Sequence, residues 1–269
     1  MGVPGDMTTL AAVKAWRSPP IATTADDAQI ARVITAASEF IRHYLQRILV
    51  SQTYTEVRNG QGGRELMLRH APVTALSALS VDGTAIPAAP DALSSGYALA
   101  GESGIVYLRG YSFRRGAQNV AATYTAGFLT SEEAQTVPSS SPYQIPCSAL
   151  SHLWAADAGV SYAGGAALVV VAPGASPSAG QYLPPTAPDG FYGFAAADAG
   201  EAIAVSYSYT PPDLEQACIE LALLRLNERA RIGEAGKTLA GEVVSFVQQD
   251  VTASIAAALQ PHRRVVPLP

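Results

Sequence analysis

No lysine or arginine occurs between Arg115 and Arg225, while residues 129–210 carry Glu132, Glu133, Asp157, Asp189, Asp198 and Glu201. That segment has a formal charge of −6, and the rest of the chain, with 17 basic and 16 acidic residues, is close to neutral. A block with a charge of its own points to an inserted module rather than to one evenly built domain. The length of 269 residues allows this, because it permits one large domain or two modest ones, each with a core.

Hydrophobic content of 48% with only 14% charged residues suits a folded protein whose surface is partly covered by partners. The net charge of −5 argues against nucleic-acid binding over the whole surface, which needs clustered Lys and Arg. Cys147 and Cys218 stand in different blocks, so neither a CxxC redox pair nor a zinc knuckle is available; two buried thiols are expected. No apolar signal core follows Met1, and Gly and Pro break the uncharged run from Ala158 to Pro188. A soluble protein made in the cytoplasm is expected.

Along the chain, Thr8 and Thr9 can cap a short helix through Leu10, Val13 and Trp16, ended by Pro19-Pro20. Thr24 with Asp27 opens a longer helix, Ala25 to Ile48. Its face is formed by Ile30, Val33, Ile34, Ala37, Ile41, Tyr44, Leu45 and Ile48. From Ser51 the period changes to two. "SQTYTEV" and "RELMLRH" flank the glycine-rich "NGQGG" as a hairpin, Asp82-Gly83 marks a second turn, and the β region runs to Phe128.

Residues 129–210 give turns at Gly164-Gly165 and Pro188-Asp189-Gly190. A final strand has Ile203, Val205, Tyr207 and Tyr209 alternating with small residues, and the block reads as a sandwich or partial barrel. Thr210, Pro211, Pro212 and Asp213 then supply the N-cap, first-turn proline and acid of a helix, with Leu214, Ala217, Cys218, Leu221 and Leu224 as its apolar side and Gly233 at its end. "GEVVSFV" reads as a short strand. Asp250 is placed as the cap of a last helix to Leu259, stopped by Pro261, and "PHRRVVPLP" forms no regular element.

"GEAGKT" invites a nucleotide reading centred on Lys237. A phosphate loop needs a glycine where Arg231 stands, and it must precede a helix rather than follow one, so a helix end and a loop leading to a strand are expected. Signatures of metalloproteases, hydrolases and deaminases are absent. His43, His70 and the acid pairs Asp26-Asp27 and Glu132-Glu133 lack partners at catalytic spacing. A Cys147–His152 nucleophile pair is conceivable, but a small buried cysteine is the commoner case. A carbohydrate-binding reading would use Tyr162, Tyr182, Phe191 and Tyr192, but core packing explains strand aromatics more often. Arg114-Arg115 and Arg263-Arg264 are the two adjacent basic pairs, the second in a proline-flanked tail suited to docking in a groove.

In order along the chain, "TTLAAVKAWR", "DDAQIARVITAASEFIRHYL", "VSQTYTEV", "LRHAPVTALSALSVDG", "YTAG", "DLEQACIELALLRLNERARIGEAGKTLAGEVVSF" and "PHRRVVP" resemble the phage head-tail connector (adaptor) family. The resemblance covers Met7 to Phe128 and Pro211 to Pro269, and the central block departs from it while being similar to small β modules of phage structural proteins.

The resemblance implies an α+β fold: a small helical connector core and an antiparallel β region in 1–128 with 211–269, and an inserted all-β sandwich-like module in 129–210. It implies a structural, non-enzymatic protein without a cofactor, located in the neck of the virion after assembly in the host cytoplasm. This protein would form a dodecameric ring on itself and bind the portal and a tail, stopper or nozzle protein. DNA would pass through without sequence-specific binding, and no membrane is involved. The portal-docking tail would be Pro261, His262, Arg263, Arg264, Val265, Val266 and Pro267. Subunit contacts would fall on Arg231, Lys237, Glu242, Val244 and Phe246. Surface decoration or carbohydrate binding by the β block is the alternative.

Overall fold

The computed structural model describes residues 3–229, 236–239, 242–245 and 251–264, with the backbone alone in the two short middle segments. The chain forms two compact units, residues 1–46 with 130–263 and residues 47–129 with 264–269. The 47–129 unit is built of strands, and the other combines strands with the α-helices. Among the described residues the strand pairs are mostly antiparallel, and the expected helical core is the smaller part of a mostly β protein.

In the unit of residues 47–129, strands β1 (Gln52–Gly60), β3 (Val73–Val81), β4 (Thr84–Ala85) and β7 (Gly116–Ala126) form a sheet of order β1-β7-β3-β4. The remaining strands, β2 (Glu65–Met67), β5 (Gly96–Ala100) and β6 (Ile105–Arg109), form a second, β2-β6-β5. Alternation buries Val120, Ala122, Tyr124 and Ala126 of β7 with Leu76 and Leu79 of β3 and Val106 and Leu108 of β6. The outer face of the first sheet carries Thr pairs, Thr53 with Thr125 and Thr55 with Thr123. Asp82 and Gly83 both take positive φ, 51° and 77°, as the expected two-residue turn between β3 and β4 requires.

The expected hairpin across NGQGG does not form: β1 pairs with β7 and β2 with β6. The glycines serve close approach instead. Gly62 N donates to Phe113 O (2.6 Å), Phe113 N donates to Gly63 O (2.9 Å), and a Cβ on Gly60 would lie 1.8 Å from Arg114 O. Gly60→Ala is expected to cost about 3 kcal/mol, since backbone must move to admit the methyl. An unchanged denaturation midpoint would show that the two segments are not in contact.

Strands β8 (Leu129–Thr136), β10 (Leu153–Tyr162) and β14 (Ala202–Thr210) make a sheet of order β10-β14-β8. Against it stand β9 (Gln144–Pro146), β11 (Val169–Val170), β12 (Gln181–Leu183) and β13 (Phe191–Phe194), ordered β11-β12-β13-β9, in which β11 and β12 run parallel. This block has a core of its own, in which Val137, Trp154, Val160, Tyr182, Tyr192 and Tyr207 are members. Ile203, Val205 and Tyr207 are buried as the alternation predicts.

With no cation in the block, its carboxylates take hydrogen bonds from neutral donors. Asp157 accepts from the hydroxyls of Tyr182 (2.7 Å) and Tyr192 (3.1 Å), and Asp198 from Tyr162 (2.7 Å) and the Gly180 amide. Glu133 accepts from Tyr207 (2.7 Å) and twice from Ser151. Burial alone would raise the Glu133 carboxyl, but the bonds from Ser151, Tyr207 and Gln135 hold it below its ordinary value.

Helices α1 (Leu10–Trp16), α2 (Asp27–Leu45), α3 (Pro212–Glu228) and α4 (Ala253–Leu259) pack as α1 on α2 and α3, α2 on α3, and α4 on α3. Val13, the α2 stripe of Ile30, Ile34, Ala37, Ile41 and Leu45, and Leu214, Ala217, Cys218 and Leu221 of α3 are buried. Thr9 caps α1 by accepting from Ala12 N.

Other helix boundaries differ from expectation. Helix α2 starts after Asp26, with no side-chain cap bond. It stops at Gln46, whose φ of 52° turns the chain out of the helix and leaves Ile48 52% exposed. Pro211, not Thr210, is the residue before α3, and Thr252, not Asp250, caps α4 by accepting from Ile255 N.

Candidate functional site

The segment expected to dock begins at the end of α4. Ile255 and Leu259 are buried against α3, and Ser254 Oγ donates to Glu220 Oε2 (3.3 Å). A short 3-10 turn, Gln260–His262, then brings His262 Nε2 to Asp213 Oδ2 in the first turn of α3 (2.5 Å). Arg263 places its guanidinium 5.6 Å from the centre of the Tyr44 ring; Tyr44 stacks on Phe40, and Arg225 covers Phe40 at 5.0 Å. Two cations thus flank an aromatic pair on α2.

In the other unit, Arg264 acts on Glu56, a carboxylate only 8% exposed. Burial raises the Glu56 carboxyl, and the arginines Arg58, Arg69 and Arg264 oppose that rise. His70, stacked on Tyr54 at 3.8 Å, is shifted down by burial first and then by Arg264, Arg47 and Arg69.

His262 and Arg263, expected to dock, are therefore held by the chain's own helices, and Pro261 lies in the turn before them. Their partners Asp213 and Tyr44 lie far away along the chain and leave no local sequence signal. Val265, Val266 and Pro267 lie outside the described residues, as do Arg231 and Phe246 among the expected subunit contacts. Lys237, Glu242 and Val244 fall in a hairpin of β15 (Gly236–Leu239) and β16 (Glu242–Ser245), where Lys237 is opposite Val244 and Leu239 opposite Glu242. The stretch read as a loop is a strand. Its Lys237 lies within a strand paired to another strand rather than ahead of a helix, which is not the geometry that gathers amides around phosphates.

The remaining candidates dissolve into the core. Cys147 is buried, with its thiol pushed up to about 12 by burial first and by Asp189, and His152 stacks on Tyr209 instead of meeting it. Cys218 is also buried and lies 3.5 Å from Ser38 Oγ. Tyr182 and Tyr192 are buried at 1% and 0% exposure, so they offer no stacking face to a sugar, whereas Phe191 is partly exposed. Among the described residues no group of His, Cys, Asp and Glu could hold a metal ion, and no helix is long and apolar enough to cross a membrane.

Residues 6–137 match the family model described as "Head completion protein". This stretch takes in α1, α2, the whole of the 52–126 sheets and β8, and it covers the first of the two stretches, Met7 to Phe128, that carry the resemblance to phage head-tail connectors. No curated protein matches. Among solved structures, the chain is similar to one in the neck of an empty GTA particle with C6 symmetry, at 15% identity and a TM-score of 0.40, covering 100% of this chain and 95% of that one. It is also similar to one in the virion of a native gene transfer agent particle (15%, 0.39, 100% and 95%). A third is in the neck of a native GTA particle with C12 symmetry (15%, 0.38, 100% and 94%). All three likenesses are loose.

Proposed function

We propose that the protein is a non-enzymatic structural component of a phage neck, assembled in the host cytoplasm. Twelve copies close into a ring that joins the portal to a tail, stopper or nozzle protein. DNA passes through its channel without being read. The observation that carries this reading is the head completion protein match over residues 6–137.

The helices form the connector core, and the segment after Arg264 reaches into the portal. Many copies, each with a modest contact, sum to a firm attachment without any one contact being strong. The block 129–210, with its separate core, is an inserted module that makes an additional contact on the tail or capsid side. Sedimentation of the purified protein with its portal tests the reading. A species of about 335 kDa, twelve chains of 27.9 kDa, is expected in association with the portal, and a chain that stays monomeric in its presence would overturn it.

A further inference from the structure

In the unit of residues 47–129 and 264–269, arginines gather around one carboxylate. The buried Glu56 of β1 lies 3.7 Å from the Arg69 guanidinium and 4.0 Å from that of Arg58, both farther than a hydrogen bond reaches. Arg58 instead donates to Met67 O (3.1 Å). Arg264 also acts on Glu56, and Arg264, Arg47 and Arg69 act together on His70, whose ring lies flat on Tyr54 at 3.8 Å. Among the described residues this places four guanidiniums, those of Arg47, Arg58, Arg69 and Arg264, with one acid, an excess of three positive charges. His70 adds none at neutral pH, because burial and the arginines shift it down.

The cluster does not satisfy itself. Arg264 Nε is buried without a hydrogen-bond partner, and so is Glu56 Oε2. Burial pulls even the Arg47 guanidinium below its ordinary value. Partly buried cations are stable where counter-charges and hydrogen bonds meet them, and one carboxylate held beyond bonding distance meets this set poorly. Access is open on one side, where the Arg69 side chain is 48% exposed against 14% for Arg58. The donors also select the ligand. Guanidinium forks arrive from before β1, from β1, from the β2–β3 connection and from the C-terminal part of the chain. Together they offer more N–H groups than the oxygens of a carboxylate can use, and they suit a phosphate, with its additional acceptor oxygens and charge of about −2.

We propose that the arginine cluster around Glu56 binds a phosphate group, with Arg69 and Arg264 as its principal donors. Free phosphate and the phosphodiester of a nucleic acid share this chemistry. Binding does not require ring formation, and it would fix Arg264, from which the VVPLP segment departs.

The experiment is titration of the full chain with inorganic phosphate against chloride at equal ionic strength, read by calorimetry and by the melting temperature. Saturable heat and a higher melting temperature are expected in phosphate alone. Arg69→Gln and Arg264→Gln are each expected to weaken phosphate binding about tenfold or more. In chloride neither variant should melt below the wild type, since each removes a cation from a crowded cluster. Arg115→Gln, outside the cluster, should bind as the wild type does. A labelled short DNA duplex separates the two sources. A duplex displaced by free phosphate and lost in Arg264→Gln identifies the phosphodiester, and a duplex that never binds while phosphate does identifies the free ion. No heat or melting shift in phosphate beyond chloride, or equal binding by the wild type and both variants, would overturn the site while leaving the neck reading standing. The wild-type titration decides even where a variant fails to fold.

Discussion

A chain ending at Arg264 is expected to fold as the full-length protein does and to lose its hold on the portal. Everything that anchors the segment's root is retained in that truncation: Ile255 and Leu259 in the core, His262 on Asp213, and Arg263 over Tyr44. Stability should therefore change by no more than about 0.5 kcal/mol, the ordinary range for surface changes. What is removed is the apolar, proline-containing VVPLP, whose ordering cost on entering a groove is low. Because attachment is multivalent, even a modest loss per copy is multiplied around the ring, and the apparent affinity should fall by two orders of magnitude or more. The check is portal co-sedimentation beside a thermal melt. Wild-type attachment by the truncated chain would remove the docking role from the tail.

Removing one carboxylate should have the largest effect on the inserted block. Asp157 is the acceptor for the Tyr182 and Tyr192 hydroxyls, and Tyr192 in turn accepts from Trp154 Nε1 (3.0 Å). Both tyrosines are almost fully buried, and burial, followed by the interaction with Asp157, pushes both phenols far up. Asp157→Ala leaves two buried hydroxyls without their acceptor, at about 1–3 kcal/mol each.

Trp154 reports the event directly, since its indole is part of the chain of hydrogen bonds and Trp16, the second tryptophan, can be replaced by Phe. The urea midpoint followed by Trp154 fluorescence should fall by at least about 1 M. Asp157→Asn, which keeps one acceptor oxygen, should lose less. Equal midpoints for wild type and Asp157→Ala would mean the tyrosines are satisfied by other groups.

What was legible in the sequence was local. The alternation at Ile203, Val205 and Tyr207, the Thr9 cap and the Asp82-Gly83 turn depend on residues a few positions apart, and all three take the expected form. What was not legible depends on distance along the chain. β1 finds β7 across some sixty residues, so the glycines of NGQGG, which look like a hairpin turn, serve to let the 60–63 backbone lie against 112–114.

The same holds for the site. The basic pair Arg263-Arg264 marked the tail expected to dock, but the contacts of His262 with Asp213 and of Arg263 with Tyr44 are products of helix packing.

Electron micrographs of the purified protein incubated with its portal test the central claim most directly. Closed rings with a central opening, seated coaxially on the portal and twelvefold in class averages, are the predicted result. Portals that remain bare beside single copies of the chain would contradict it.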